Sequence, residues 1–284
     1  MSDETQSLLS SFYRKRTYWC GDSFQLVSIV PRFKIQDIEA KKGRGKNRNV
    51  SREAQKNLNK RNAKKTFRLI VDGNFEKGDI FLTCTYKKGY EPKNLTDAKK
   101  DRRNLIRRVR TKLKSEGKDH LLKYVAVTEY REATKDTKEV RFHHHIIINN
   151  IIDRDDLEAL WTKQKGKKRV SLGRATTNRV RTDGDYSKDR LAKYMCGYGE
   201  KGDPDDRERD WTWSRNLKRP KTKSPADYLF HRSKLESLGQ SRELAQEYFE
   251  KKFPDYFVTL EACLENAYSG YHYYLKLEKK RRGS

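Results

Sequence analysis

Three runs of this chain alternate apolar and polar positions with a period of two. Asp79–Tyr86 puts Phe81, Thr83 and Thr85 on one face and Leu82, Cys84 and Tyr86 on the other, which predicts a central β-strand. Lys123–Tyr130 and Val140–Asn149 alternate too, with a polar stretch through Lys138 between them, and predict a hairpin. A fourth strand is predicted around Phe24–Val30. Helical spacing governs Thr96–Ser115, where Leu105, Ile106, Val109 and Leu113 form one apolar stripe. Shorter helical patterns cover Asp155–Trp161 and residues 187–199, and a longer one covers residues 225–278, ending in the aromatic run Tyr268–Tyr274. A further helix is predicted to begin near Ser51, whose side chain can cap it with Glu53 in the first turn. It follows a Lys/Arg/Asn/Gly-rich arm from Lys41, and a second basic stretch, Lys163–Arg169, is expected to be a loop. Mixed strands and helices make the fold class α+β.

Charge changes the picture. Of 284 residues, 66 are Lys or Arg against 40 Asp or Glu, a formal net charge of +26 that calls for a polyanionic partner, nucleic acid first. Arg102, Arg103, Arg107, Arg108 and Arg110 surround the apolar stripe of the long helix and are candidate phosphate contacts, as are Arg141 and Arg215. The plainer alternative for such a run is a solvated helix face. Trp211, Trp213 and Tyr228 are available for base stacking. No apolar run is long enough to span a bilayer, so no membrane partner is expected. The N-terminus lacks an apolar signal core. Cys20, Cys84, Cys196 and Cys263 form no Cys-x-x-Cys pair, which argues against a zinc ribbon or a disulfide framework and suits a cytoplasmic location.

Two clusters carry candidate chemistry. In the run Phe142–Ile148, His143 and His145 share one strand face while His144 points to the apolar face with Phe142, Ile146 and Ile148. Two imidazoles on one face, with the carboxylate of Glu129 brought in from a neighbouring strand, suit an open metal site. Packed, structural histidines are the bland alternative. Tyr194 and Tyr198 lie four residues apart, on one face of a helix, with Lys201 three residues further. A phenol is a poor nucleophile at neutral pH, but a neighbouring cation and a metal-polarised phosphodiester would activate it. Simple packing is the alternative here, and Gly197 and Gly199 weaken the helix.

The order of Phe81–Tyr86, Phe142–Ile148 and Tyr194-x-x-x-Tyr198-x-x-Lys201 resembles the HUH endonucleases, more narrowly the rolling-circle replication initiators of phages and small plasmids. Ser51–Ala63, Asn74-Phe75 and Gly78-Asp79 resemble that group's lead-in to its first motif, and Trp213–Pro220 a segment after its tyrosines. The resemblance covers roughly residues 50–222. It implies a central antiparallel sheet of about five strands flanked by helices, with residues 66–222 as the catalytic domain, while the chain's own pattern marks 1–65 as an N-terminal strand and basic arm or helix and 223–284 as a helical C-terminal extension. It implies Mg²⁺ or Mn²⁺ held by His143, His145 and Glu129, with Tyr194 or Tyr198 as nucleophile and Lys201 assisting. The reaction implied is sequence-specific nicking and religation of single-stranded origin DNA through a 5′-phosphotyrosine, initiating rolling-circle replication. Relatives often carry Lys between the two tyrosines where this chain has Gly197, which leaves open whether one tyrosine acts or both act in alternation. No G-x-x-x-x-G-K-[ST] loop is present, so unwinding would fall to a separate helicase. Two other readings stay open: a conjugative relaxase or single-strand transposase, and a non-catalytic basic nucleic-acid-binding protein.

Overall fold

The computed structural model describes residues 11–33, 53–131, 140–197, 208–266 and 269–280. The chain divides into two compact units, Thr66–Arg219 and Met1–Lys65 with Pro220–Ser284. In chain order the strands are β1 (Ser11–Trp19), β2 (Gln25–Phe33), β3 (Ile80–Thr85), β4 (Tyr124–Arg131), β5 (Val140–Ile148), β6 (Thr162–Lys165) and β7 (Lys168–Ser171). They continue as β8 (Ala175–Arg179), β9 (Glu208–Trp213), β10 (Lys221–Thr222), β11 (Ala226–Asp227), β12 (Tyr256–Asn266) and β13 (Gly270–Lys279). The helices are α1 (Glu53–Asn74), α2 (Leu95–Ser115), α3 (Arg154–Ala159), α4 (Lys188–Met195), α5 (Arg232–Leu238) and α6 (Arg242–Lys252). None of the described helices is long and apolar enough to cross a membrane.

In the unit Thr66–Arg219, five antiparallel strands stand in the order β8-β3-β5-β4-β9. With its flanking helices this sheet is the α+β arrangement that the alternating and helical patterns predict. Alternation assigns each face its own partners. Ile80, Leu82, Cys84, Ala126, Ile146 and Ile148 pack on Leu105, Ile106, Val109 and Leu113 of α2, together with Trp161 and Leu172. Phe81, Val125, Val127 and Ile147 pack the opposite way, on Phe67, Ile70 and Val71 of α1 and Leu191, Ala192 and Met195 of α4. Asn94 caps α2 by accepting a hydrogen bond from the Asp97 amide at 3.0 Å, so the helix begins one residue before the predicted Thr96.

A polar chain runs through the otherwise apolar α2 face. Arg102 Nη1 donates to Thr128 Oγ1 at 2.6 Å, Thr128 Oγ1 meets His144 Nδ1 at 3.0 Å, and His144 Nε2 meets the Tyr86 hydroxyl at 2.8 Å. The same guanidinium reaches Asp210 of β9, through its carbonyl at 2.8 Å and its carboxylate at 2.7 Å. Arg102 is buried, and its expected role as a phosphate contact is corrected: both terminal nitrogens of its guanidinium are bonded within the protein. Arg108 is half-buried, donates to the Leu160 carbonyl at 2.9 Å, and is the second arginine of the run spent internally.

In the other unit the strands stand in the order β10-β1-β2-β13-β12, with β11 also on β1. The first and last parts of the chain meet in this sheet, because β2 pairs with β13. Tyr13, Ile29, Leu260, Tyr273, Leu275 and Leu277 face Leu235, Leu238, Ala245 and Phe249 of α5 and α6. The helical reading of residues 225–278 holds for α5 and α6 and fails beyond them. Tyr256–Lys279 is instead a long hairpin, in which Tyr273, Leu275 and Leu277 alternate inward and Gly270 turns with φ +88°. The basic stretch Lys163–Arg169, read as a loop, is likewise a hairpin, β6–β7, turning at Gly166 with φ +59°. Strand β1 was not anticipated, and the arm from Lys41 and the Ser51 cap lie outside the described residues.

Replacing Arg102 with Ala takes the buried donor from Thr128 and one of two cations from Asp210, which keeps Lys99 at 2.7 Å, and the expected loss is about 3 kcal/mol in chemical denaturation. Arg107→Ala, on the exposed side of α2, is expected to stay within about 0.5 kcal/mol of the parent. Equal small effects for both would show that the buried guanidinium is not structural.

Candidate functional site

Strand register assembles the site. In β4–β5 pairing Glu129 stands opposite His143, and in β3–β5 pairing Thr83 stands opposite His145. One ligand atom from each of Glu129, His143 and His145 lies within 4.8 Å of the others. The two imidazole rings cross at 85° with centroids 4.9 Å apart. Glu129 is fully buried, His145 nearly so, and His143 half-buried at the rim.

Hydrogen bonds orient both rings. His143 Nδ1 lies 2.8 Å from the Arg141 carbonyl, which can only accept, so Nδ1 carries a proton and Nε2 is the nitrogen turned to the cluster. That Nε2 faces the Glu129 carboxylate at 3.7 Å. A carboxyl oxygen and an imidazole nitrogen set face to face at a buried site call for a proton or a cation between them. His145 stacks on Phe81 with the rings 8° from parallel, and its Nδ1 lies 3.2 Å from Thr83 Oγ1. The Tyr194 hydroxyl is 3.2 Å from His145 Nε2. Two imidazoles and a carboxylate, with the imidazoles held by outer partners, are a donor set that fits a divalent cation.

Helix α4 delivers Tyr194. Its apolar face, Leu191, Ala192 and Met195, packs against α1 and the sheet, and two ion pairs fix it to α1. Arg68 reaches Asp189 at 2.9 Å, and Lys188 reaches the buried Asp72 at 3.4 Å. Tyr194 is left partly exposed, with its hydroxyl at the histidine cluster. The structure thus brings together Glu129, His143, His145 and Tyr194, while Tyr198 and Lys201 lie outside the described residues.

His144 sits on the other side of β5, as its place in the run predicted. It is fully buried against Tyr86 and Trp161, and burial, followed by the nearby Arg102 charge, pushes its pKa well below the usual histidine value. A neutral ring can accept from Thr128 and donate to Tyr86, so the polar chain has one consistent direction, from Arg102 toward Asp101.

The remaining candidate residues divide. Arg103, Arg107 and Arg110 are exposed on α2, which covers the sheet face opposite the histidine pair, so this arginine helix does not line the site. Arg141 and Arg215 are exposed. Trp211 and Trp213 are half-buried against the α1–α4 core, Trp211 tilted on Phe67 with centroids 5.4 Å apart, and act as packing residues. Tyr228 is exposed in the other unit, beside Phe12. Sequence reasoning missed Thr83 as the partner of His145, although its position on the Phe81 face was the available signal.

Residues 79–203 match the model of a family described as replication-associated protein ORF2. The matched span starts at the edge of β3 and contains Glu129, His143, His145, Tyr194, Tyr198 and Lys201. No curated protein and no solved structure matches the chain.

His144→Ala is expected to remove about 3 kcal/mol of stability, because the buried hydroxyls of Thr128 and Tyr86 each lose one of two partners and a cavity opens beside Trp161. Denaturation midpoints read this. A change below about 1 kcal/mol would deny His144 its structural role.

Proposed function

We propose that this protein initiates DNA replication by cutting one DNA strand with a tyrosine and holding the cut end for resealing. The observation that carries the reading is the Tyr194 hydroxyl lying 3.2 Å from a histidine that itself belongs to a Glu–His–His cluster. A family match to replication-associated proteins over residues 79–203 supports the same reading.

Glu129, His143 and His145 hold Mg²⁺ or Mn²⁺, which when bound draws charge from a phosphodiester oxygen. The Arg141 carbonyl holds a proton on His143 Nδ1 and so turns Nε2 inward, and the Thr83 hydroxyl holds the His145 ring through its Nδ1. The Tyr194 hydroxyl gives its proton to solvent as its oxygen attacks phosphorus, the bond to the 3′ oxygen breaks, and that oxygen leaves as a hydroxyl after taking a proton from solvent. The 5′ phosphate stays on the tyrosine as an ester. Because the ester retains the energy of the broken bond, attack by a free 3′-OH reverses the step without a nucleotide cofactor. Tyr198 serves as the second nucleophile and Lys201 favours its phenolate. Strand separation is left to a separate helicase.

Incubation of the protein with a single-stranded origin oligonucleotide and Mn²⁺ is expected to give a covalent protein–DNA adduct on Tyr194 or Tyr198, located by mass spectrometry. The double Tyr→Phe variant is expected to give none, and an adduct in that variant would overturn the tyrosine assignment. His143→Ala and His145→Ala should abolish cleavage yet keep DNA binding, and chelator should abolish cleavage by the parent. Thr83→Val frees the His145 ring, and calorimetric Mn²⁺ affinity is expected to fall about tenfold or more.

A further inference from the structure

The hairpin β6–β7 is unexplained by the strand-cutting reaction. Its ten residues, Thr162–Ser171, carry Lys163, Lys165, Lys167, Lys168 and Arg169 and no carboxylate. All five cations are exposed, and none forms an ion pair with a carboxylate of the described residues. Register places Lys163, Lys165 and Lys168 on one face of the ribbon and Arg169 on the other, with Lys167 at the turn beside Gly166. Little apolar surface holds the ribbon together, so its form depends on how its ends are fastened.

Those ends are fastened firmly. Trp161 is buried at the foot of β6, and its indole nitrogen donates to the Thr85 carbonyl at 2.9 Å. Leu172 is buried at the foot of β7, where its amide donates to the Trp161 carbonyl and its carbonyl accepts from the Lys87 amide. Gly173 runs so close to β3 that a Cβ there would lie 2.2 Å from the Thr85 oxygen. Thr85 is the residue paired with His143, so the ribbon springs from the same end of the sheet as the Glu–His–His cluster, its foot on the α2 face and its tip beyond the sheet's edge. Arg141 and Arg174 are exposed at that end too.

We infer that the β6–β7 ribbon is a binding site for double-stranded DNA, gripping the phosphates of a duplex segment beside the single strand that enters the cluster. A two-stranded ribbon is one of the two protein elements that a B-form major groove admits, and four residues per strand give it a reach of about 13 Å, close to the groove's width of about 12 Å. Double-stranded RNA is disfavoured, because its major groove is too deep and narrow for such an element. The assignment of the neighbouring single strand rests on the proposed strand-cutting function, whereas duplex binding by the ribbon does not.

The test compares two full-length variants with five charges removed from each. One changes Lys163, Lys165, Lys167, Lys168 and Arg169 to Gln. The control changes the exposed lysines Lys234, Lys251, Lys252, Lys279 and Lys280 of the other unit to Gln. Fluorescence anisotropy with a short blunt DNA duplex of arbitrary sequence, at several salt concentrations, is expected to show at least a tenfold loss for the ribbon variant. Its log Kd against log salt should flatten by about one for each phosphate no longer gripped, while the control stays within about twofold of the parent. An unchanged slope and affinity in the ribbon variant, an equal loss in the control, or equally tight binding of an RNA duplex by the parent would overturn the inference. The ribbon variant should still form the tyrosine adduct on a single-stranded oligonucleotide, which also shows that it folds. Should the parent form no adduct while the ribbon variant alone loses duplex binding, the cutting reaction falls and the ribbon site stands.

Discussion

The register of three antiparallel strands is the constraint on which the site depends. Glu129 opposite His143 and Thr83 opposite His145 follow from the pairing of β4 and β3 with β5, and nothing in the chemistry of those side chains alone would gather them. Side chains alternate with a period of two, so a slip of one residue would turn His143 and His145 toward α2 and bring Phe142 and His144 into the cluster. The slip is opposed on both faces at once. On one, Ile146 and Ile148 sit in the α2 core; on the other, Ile147 sits in the α1–α4 core. The polar chain adds direction, since Arg102 joins α2 to β4 through Thr128 and to β9 through Asp210. A buried guanidinium of this kind adds little net stability compared with apolar residues of the same size. Its donors do penalise any arrangement in which Thr128 and Asp210 are displaced.

The position of Tyr194 is a tertiary outcome in a stronger sense. Helix α4 has eight residues, too few to persist alone in water. Its placement comes from burial of Leu191, Ala192 and Met195 and from the pairs Arg68–Asp189 and Lys188–Asp72, which tie it to α1. A phenol anchored by its backbone in this way meets His145 with few rotors left to fix. For the proposed strand cutting, orientation held in advance would lower the entropic cost of bringing this phenol to a phosphate.

How much of this was legible follows from where the information is local. Strands β3, β4 and β5 could be read because each face has a distinct chemistry, and α2 because its stripe is regular. The hairpin at Tyr256–Lys279 was hidden by aromatic and aliphatic residues spaced closely enough to pass for a helix, and its pairing partner β2 lies near the opposite end of the chain. Ribbon β6–β7 has almost no apolar pattern, and forms because Trp161 and Leu172 are held at its base. Arg102 could have been recognised. It precedes Leu105, Ile106, Val109 and Leu113 by three, four, seven and eleven residues, which puts it on their buried stripe, whereas Arg103, Arg107 and Arg110 fall outside it. Composition registered only a run of like charges, and the helical period separates its structural member from its exposed ones.

Three adjacent histidines meet two different environments because the strand turns each away from the next. His144 needs to be neutral, since a charged ring would be buried next to Arg102 and could not accept from Thr128. That same neutrality benefits the pair on the far face. A divalent ion between His143, His145 and Glu129 would lie close across the strand from residue 144, and a second positive charge there would raise the cost of binding it. Burial of the middle ring in the α2 core therefore removes a competing cation from beneath the cluster as well as fastening the sheet. The two faces of β5 are joined by electrostatics, and that linkage requires the neutral member of the run to be the central one.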